Sequence, residues 1–241
     1  MTETIAKNDF IELRFTGRIR GGDIFDTNIP DEAKKIGLEI NNKPVVICVS
    51  HGMILPKIDD FLVGKDMGQD YKLDVSPKEG FGERRREFLK VLPMDVFRKQ
   101  NMMPQAGMVM SFDGMPARIS AVSGGRVTVD FNNPLAGKDL VYDLKASRKV
   151  DSINEKIKSL ILFFFRKDVK FELKEKEKKI ILEIDDKFKL FLEVFAPKFR
   201  EILGMELVIE EAKERAKVKE EKTDIKEGEK KEAKEEKAGK K

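Results

Sequence analysis

The sequence predicts an α+β protein: an antiparallel half-barrel sheet wraps one short helix, a small β-rich domain is inserted, and a C-terminal α/β domain follows. Three observations lead to this fold class. Short segments within the first 83 residues alternate apolar and polar side chains, as half-buried strands do. One amphipathic helical pattern lies among them. A strand-and-turn sequence that ends at Gly82 continues only at Pro134, which indicates a domain inserted at a loop tip.

The host domain is predicted at residues 1–83 and 134–150. Apolar side chains such as Ile11 and Phe15 alternate with polar ones along its first strand, and Gly21-Gly22 provides the hairpin turn. A β-branched run after Pro44 predicts a core strand, and Pro56 suits the first turn of the helix. The predicted strands are at residues 9–26, which the turn at Gly21-Gly22 divides into an outgoing and a return strand, and at residues 45–49, 72–75 and 140–144, and the helix is at residues 53–63.

The inserted domain is predicted at residues 84–133. Four short strands are expected at residues 87–92, 108–112, 117–122 and 126–131, with turns at Asp113-Gly114 and Gly124-Gly125. Six of the ten methionines fall in this insert, at positions 94, 102, 103, 108, 110 and 115. Methionine can fill the thin core of a small domain, or it can form an adaptable surface for many partners. Composition alone slightly favours the first reading.

The C-terminal domain is predicted at residues 151–212, in the order α-β-β-α-β. Ser152 and Glu155 have the spacing of a capping box before an apolar helical stripe. The tail at residues 213–241 holds twelve Lys or Arg against nine Asp or Glu and has no apolar face. It is expected to be disordered or a solvated helix.

Charge and cysteine content limit the function classes. The chain of 241 residues has a net charge of +4, of which the tail supplies +3, so no specific nucleic-acid binding is expected. One cysteine, Cys48, suits a reducing compartment. No segment has the length of a signal peptide core or a membrane span, so a cytoplasmic protein without membrane contact is expected. A single His and a single Cys are too few for a soft metal site, and no metal or cofactor is expected.

A set of spaced motifs resembles the FKBP-type peptidyl-prolyl isomerases. The insertion after Phe81-Gly82 is similar to the insert-in-flap (IF) domain of the SlyD branch, and the C-terminal extension resembles the long archaeal members. The resemblance spans about residues 5–82 and 134–148. The motifs are Phe15-Thr-Gly17, Phe25-Asp26, Asn42-Lys43-Pro44, Gly52-Met-Ile-Leu55, Val63-Gly-Lys-Asp-Met-Gly68, Ser76-Pro-Lys-Glu-Gly-Phe-Gly82 and Leu140-Val-Tyr-Asp143.

The resemblance implies catalysis of rotation about Xaa-Pro bonds in an apolar pocket. The barrier is about 18–20 kcal/mol because twisting destroys amide resonance, and a twisted amide is favoured where water is excluded. Asp26 is implied at the pocket wall, and the backbone N–H of Ile54 is implied to bind a substrate carbonyl. The pocket residues implied by the resemblance are Phe15, Phe25, Asp26, Val45, Ile54, Leu55, Ile58, Phe81 and Tyr142.

Pattern alone favours a plainer role for some of these residues. Phe15 and Phe25 are inward strand residues in any case, and Asp26 before Thr27-Asn28 is typical of a turn. Phe15 and Phe81 stand where many family members have Tyr, and Ile58 stands where the compact members have Trp. Because the pocket lacks those polar anchors, we expect a working isomerase with poor affinity for macrolide inhibitors, testable by titration.

The sequence is compatible with three functions. The first is a prolyl isomerase whose insert acts as a general chaperone, with unfolded polypeptides containing Xaa-Pro as partners. The second is a holdase or docking module that retains the fold with weak or no catalysis. The third, an RNA- or ribosome-associated protein, depends on the basic tail. Ribosome docking and self-association are both open for the C-terminal domain.

Overall fold

The structure, a computed structural model, describes residues 3–39, 45–183 and 189–210. The predicted tail and the Asn42-Lys43-Pro44 motif lie outside these residues. By their contacts, the described residues form two units. The first comprises the described parts of Met1–Ala6, Glu12–Val45 and Ile54–Arg148; the second comprises those of Lys7–Ile11, Val46–Met53 and Lys149–Lys241. The domain boundaries given above stay predictions.

The host sheet has five strands, and its helices are short. Strand order is β2-β1-β9-β4, with β3 also paired to β1. The strands are β1 Phe10–Ile19, β2 Ile24–Thr27, β3 Val45–Cys48, β4 Asp70–Val75 and β9 Leu140–Lys149, and the helices are α1 Pro30–Lys35 and α2 Pro56–Leu62. β1 pairs with β2, and β4 with β9, in antiparallel fashion, so the predicted α+β class is confirmed.

Alternation along the strands buries one face of this sheet. Leu73 and Val75 on β4, and Leu140, Tyr142 and Leu144 on β9, are all buried. The helix is shorter than the predicted span of residues 53–63, because Pro56 occupies its first turn.

The inserted domain is a four-stranded antiparallel sheet in the order β5-β8-β7-β6. Its elements are β5 Leu89–Pro93, α3 Met94–Arg98, β6 Val109–Phe112, β7 Met115–Ser123 and β8 Arg126–Asp130. Phe97, Ala117, Ile119, Val127 and Val129 form its core. Three methionines of the insert, Met94, Met102 and Met110, pack against that core.

The second unit has its own core around a three-stranded sheet. β10 pairs with β11 in antiparallel fashion, and β11 pairs with β12 in parallel. Its elements are α4 Ile153–Phe165, β10 Phe171–Lys174, β11 Lys179–Glu183, α5 Lys189–Leu203 and β12 Glu206–Glu210. Ser152 caps α4 by accepting a hydrogen bond from the backbone N–H of Glu155, as its spacing predicts. Phe10 and Cys48 belong to this core although they lie early in the chain.

Candidate active site

Three aromatic side chains meet over the host sheet. Phe25 lies on β2, Tyr142 on β9, and Phe81 in the turn that follows β4. The Phe25 ring is edge-on to Phe81, with centroids 6.2 Å apart, and edge-on to Tyr142 at 5.8 Å. Edge-to-face pairs are a preferred arrangement of aromatic rings. These three residues, the aromatic trio, form an apolar wall from parts of the chain more than fifty residues apart.

Gly17 on β1 makes room for two of these rings. A Cβ atom at this position would lie 2.7 Å from Cζ of Phe25 and 2.9 Å from Cε1 of Tyr142, closer than packed atoms approach. Gly17 is opposite Asp26 in the β1–β2 register, where the pairing shifts by one residue. The glycine therefore allows both rings to lie across the strand.

Burial raises the pKa of both titratable groups at the trio, Asp26 and Tyr142. Burial raises the pKa of Asp26 above its ordinary 3.8, against a smaller lowering by the backbone N–H of Thr27. Burial, and then the nearby negative charge of Asp26, raise the pKa of Tyr142 to about 12. Tyr142 is 4% exposed, whereas Asp26 is exposed as a whole residue and lies at the rim. Solvent therefore screens part of the effect on Asp26.

Two polar residues after Asp26 hold the backbone around Phe15. The amide of Asn28 accepts from the N–H of Phe15 at 2.8 Å and donates to the carbonyl of Leu13 at 2.6 Å. The hydroxyl of Thr27 donates to the carbonyl of Phe15 at 3.0 Å. Asp26, which pattern alone favours as a turn former, lies instead in β2, and the side chains of Thr27 and Asn28 join the end of β2 to β1 by hydrogen bonds.

The turn that carries Phe81 is held by Glu79. Its carboxylate accepts hydrogen bonds from the Ser76 hydroxyl at 2.7 Å and from the Ser76 N–H at 3.2 Å. Lys57 of α2 lies 2.7 Å from the other oxygen. The hydrogen bond from Lys57, followed by those from Ser76, lowers the pKa of Glu79 to about 2. Glu79 therefore stays ionised at neutral pH and links the turn to α2.

The other predicted pocket residues are placed on neighbouring elements. Ile58 on α2 is fully buried, Phe15 on β1 is half-buried, and Val45 at the start of β3 is 38% exposed. Ile54 and Leu55, both half-buried, directly precede α2. Among the residues that the structure describes, Phe15 makes no ring contact with the aromatic trio. The membership of these five residues in the pocket stays a prediction.

Sequence reasoning assigned no role to Gly17, Asn28 or Glu79. Gly17 stands within the Phe15-Thr-Gly17 motif, and Glu79 is three residues after Ser76, so both had a visible signal. Asn28 had none beyond its place after a strand. Within the described ranges, no three His, Cys, Asp or Glu side chains are grouped as a metal site requires. No helix there is long and apolar enough to cross a membrane.

The inserted domain exposes large apolar side chains, which we call the insert surface. Met103 is 79% exposed, Val109 69%, Val91 60% and Met115 59%. Phe88, Val96 and Met108, each 42% exposed, complete the set. Half of the six methionines therefore pack against the core and half are exposed, so core filling holds for the first half, and partner binding by the second half stays a prediction.

Comparison with known proteins matches two family models to overlapping parts of the first 135 residues. The family model described as FKBP-type peptidyl-prolyl cis-trans isomerase matches residues 1–97. The model described as the IF domain of FKBP26 matches residues 90–135.

Curated relatives match over much of their own length. A short-type peptidyl-prolyl cis-trans isomerase of Methanocaldococcus jannaschii is 28% identical over 148 residues, 60% of this chain and 94% of that protein. A probable FKBP-type 16 kDa isomerase of Pseudomonas fluorescens is 29% identical, covering 59% and 90%. The isomerase SlyD of Haemophilus influenzae is 27% identical, covering 64% and 76%. The chain therefore carries an FKBP-type peptidyl-prolyl cis-trans isomerase domain, matched over residues 1–97, and an IF domain like that of FKBP26, matched over residues 90–135.

Proposed function

We propose that the chain catalyses rotation about Xaa-Pro bonds in folding proteins, at the aromatic trio, while its insert surface binds unfolded segments as a general chaperone. The aromatic trio beside a carboxyl group of raised pKa is the observation that carries the catalytic part. It combines apolar walls, which favour the less dipolar twisted amide, with one polar group. A cytoplasmic location is part of the proposal and rests on the single cysteine.

Catalysis in this pocket needs no proton or group transfer. The planar prolyl amide is strongly dipolar, and twisting about the C–N bond reduces that dipole, so a dry apolar site favours the twisted form over the solvated ground state. Phe25, Phe81 and Tyr142 supply the apolar walls. Asp26 faces the same space with a charge that can act on the twisting carbonyl, and the Ile54 N–H is the proposed anchor for a substrate carbonyl. Val45, Leu55, Ile58 and Phe15 are proposed to complete the enclosure.

The insert surface contributes by keeping substrate near the pocket. An unfolded segment held by exposed methionine and valine side chains has a high effective concentration of Xaa-Pro bonds at the neighbouring pocket. This benefit is available to a long chain and unavailable to a tetrapeptide. The insert is therefore expected to raise activity on proteins more than on short peptides.

A refolding assay tests both parts of the proposal. The intact chain should accelerate the slow, proline-limited phase of a refolding protein, measured without a coupling protease. Replacement of residues 84–133 by a short loop should reduce that acceleration and leave tetrapeptide isomerisation unchanged. Phe81→Ala is the converse control, because it should reduce both activities. Binding of unfolded protein with no acceleration of either substrate would overturn the enzyme and favour a holdase.

A further inference from the structure

The two chain connections between the host sheet and the inserted domain are joined by hydrogen bonds at both ends. The outgoing connection, residues 82–88, leaves the turn of Phe81, and the returning connection, residues 130–137, leads towards β9. At the host end the N–H of Gly137 donates to the carbonyl of Gly82 at 2.8 Å. At the insert end the N–H of Phe131 donates to the carbonyl of Phe88 at 2.9 Å. The connections therefore run side by side as a paired ribbon.

Asn132 bridges the middle of this ribbon with its side chain. Its Oδ1 accepts from the backbone N–H of Arg85 at 2.8 Å, and its Nδ2 donates to the carbonyl of the same residue at 3.0 Å. In an antiparallel ladder, the backbone of a residue opposite Arg85 would likewise accept a hydrogen bond from its N–H and donate one to its carbonyl. Asn132 thus continues the pairing where the backbones themselves do not pair.

Asp130, the last residue of β8, fixes Asn132 in turn. Its Oδ1 accepts from the N–H of Asn132 at 2.9 Å and from Nδ2 at 2.7 Å, and its Oδ2 accepts from the Arg84 guanidinium. Partial burial raises the pKa of Asp130, but the hydrogen bonds from Asn132 and then Arg84 together outweigh it and lower that pKa. The carboxylate is therefore ionised at neutral pH and holds both connections.

Gly137 shows how closely the connections approach each other. Its φ of +75° favours glycine, and a Cβ there would lie 3.2 Å from Cβ of Arg84. We call Arg84, Asp130 and Asn132 the linker brace. Its members belong to no ring of the pocket and to no part of the insert surface.

We propose that the linker brace is a set of positioning residues that holds the inserted domain in one orientation towards the aromatic trio. The proposal rests on the proposed function, because a fixed orientation matters for catalysis only if the insert captures substrate. Two unbraced connections of this length would let the insert sample many orientations. Each captured Xaa-Pro bond would then spend less time at the pocket, and its effective concentration there would fall.

The test uses the full chain and the variant Asn132→Ala. ¹⁵N relaxation should report one rotational correlation time for host and insert in the unmodified protein and two separate times in the variant. The kcat/KM for a proline-limited protein should fall about three- to tenfold, while that for a tetrapeptide stays within about twofold. Asn133→Ala is the matched control, because Oδ1 of Asn133 accepts only from Leu135 within the same connection, and it should change neither measurement.

Asp130→Ala is a second test variant, because it removes the carboxylate that accepts two hydrogen bonds from Asn132. Thermal unfolding and the tetrapeptide assay verify that each variant is folded. Shared tumbling of host and insert in both folded variants would overturn the proposal, as would separate tumbling with undiminished refolding activity. If the unmodified chain shows no preference for protein substrates, the proposed capture function fails, and the tumbling comparison still decides whether the brace positions the insert.

Discussion

The aromatic trio and the insert surface are both apolar, yet their side chains are packed to different extents. Tyr142 is 4% exposed and packed edge-on against Phe25, whereas Met103 is 79% exposed. Around the pocket, Asn28 and Glu79 tie the backbone in place with hydrogen bonds. The difference fits the two proposed roles, since a packed apolar wall suits catalysis of bond rotation, while exposed flexible side chains suit capture of varied chains.

The largest effect is expected when the packing of the aromatic trio itself is disturbed. Gly17→Ala places a methyl group within 3 Å of both the Phe25 and Tyr142 rings, so the aromatic trio must move apart. We expect kcat/KM to fall about tenfold or more for peptide and protein substrates alike, with a stability loss of about 1–3 kcal/mol. Stopped-flow kinetics and urea unfolding measure the two effects. Gly22→Ala is the control, because Gly22 lies in the hairpin turn away from both rings. Unchanged peptide activity in Gly17→Ala would show that the trio is not the catalytic wall.

The next prediction concerns the insert surface. The double variant Met103→Ser, Met115→Ser removes two exposed apolar side chains, so binding of unfolded chain should weaken and protein refolding activity should fall about fivefold. Tetrapeptide activity should not change. The matched control is Leu162→Ser, Val194→Ser, which removes exposed apolar side chains outside the insert, 54% and 66% exposed. An equal loss in the control pair would mean that the insert surface has no special role.

Asp26→Asn separates catalysis from stability within the pocket. Because burial raises the folded-state pKa of Asp26, its contribution to stability is present below the unfolded-state pKa and is lost as pH rises through the folded-state pKa. The variant should therefore be more stable than the parent at pH 7, and the gain should vanish near pH 3. Activity should fall about threefold at pH 7, because a charge facing the carbonyl is lost. Urea unfolding at both pH values checks the sign, with the exposed Asp31→Asn as control. A variant less stable at pH 7 would contradict a desolvated carboxylate.

The smallest effect is expected at the turn that carries Phe81. Glu79→Gln removes the negative charge that pairs with Lys57 and accepts a hydrogen bond from Ser76. KM for a tetrapeptide should therefore rise about twofold, with kcat nearly constant. In the unmodified protein, the ion pair between Lys57 and Glu79 should persist in acid until the pH approaches about 2, where Glu79 becomes protonated. Glu83→Gln, an exposed acid two residues beyond Phe81, should leave KM unchanged. An equal rise in both variants would point to general charge rather than to the turn.

Much of the host fold could be predicted from the sequence. The hairpin at Gly21-Gly22, strand β9 and the helix before Gly64 follow from alternation, turn residues and proline placement. Helix α1 was not predicted, because its six residues bury only Ala33 and carry no periodic signal. The start of α2 was predicted too early for a related reason, since Ile54 and Leu55 match the helical spacing but precede the helix.

The candidate site likewise contains residues that the sequence predicts and residues that only the structure reveals. Spacing of motifs was enough to propose Phe25, Phe81 and Tyr142, which the structure brings together. The residues that hold them, Gly17 and Asn28, act on atoms of strands that only pair after folding. Composition likewise could not decide between core and surface for the methionines, because a methionine suits both places and only packing assigns it.

By itself the sequence determined the strand and turn pattern and the family resemblance, and it predicted an insert after Gly82, because these depend on neighbours along the chain. The tertiary structure decided which distant residues share a contact. It put Phe10 and Cys48 into the core of the second unit, set Gly17 against two rings, and joined Asn132 to Arg85 across the two connections. Periodicity records which face of an element is buried, whereas the partner of that face is determined only when the chain closes its long-range contacts.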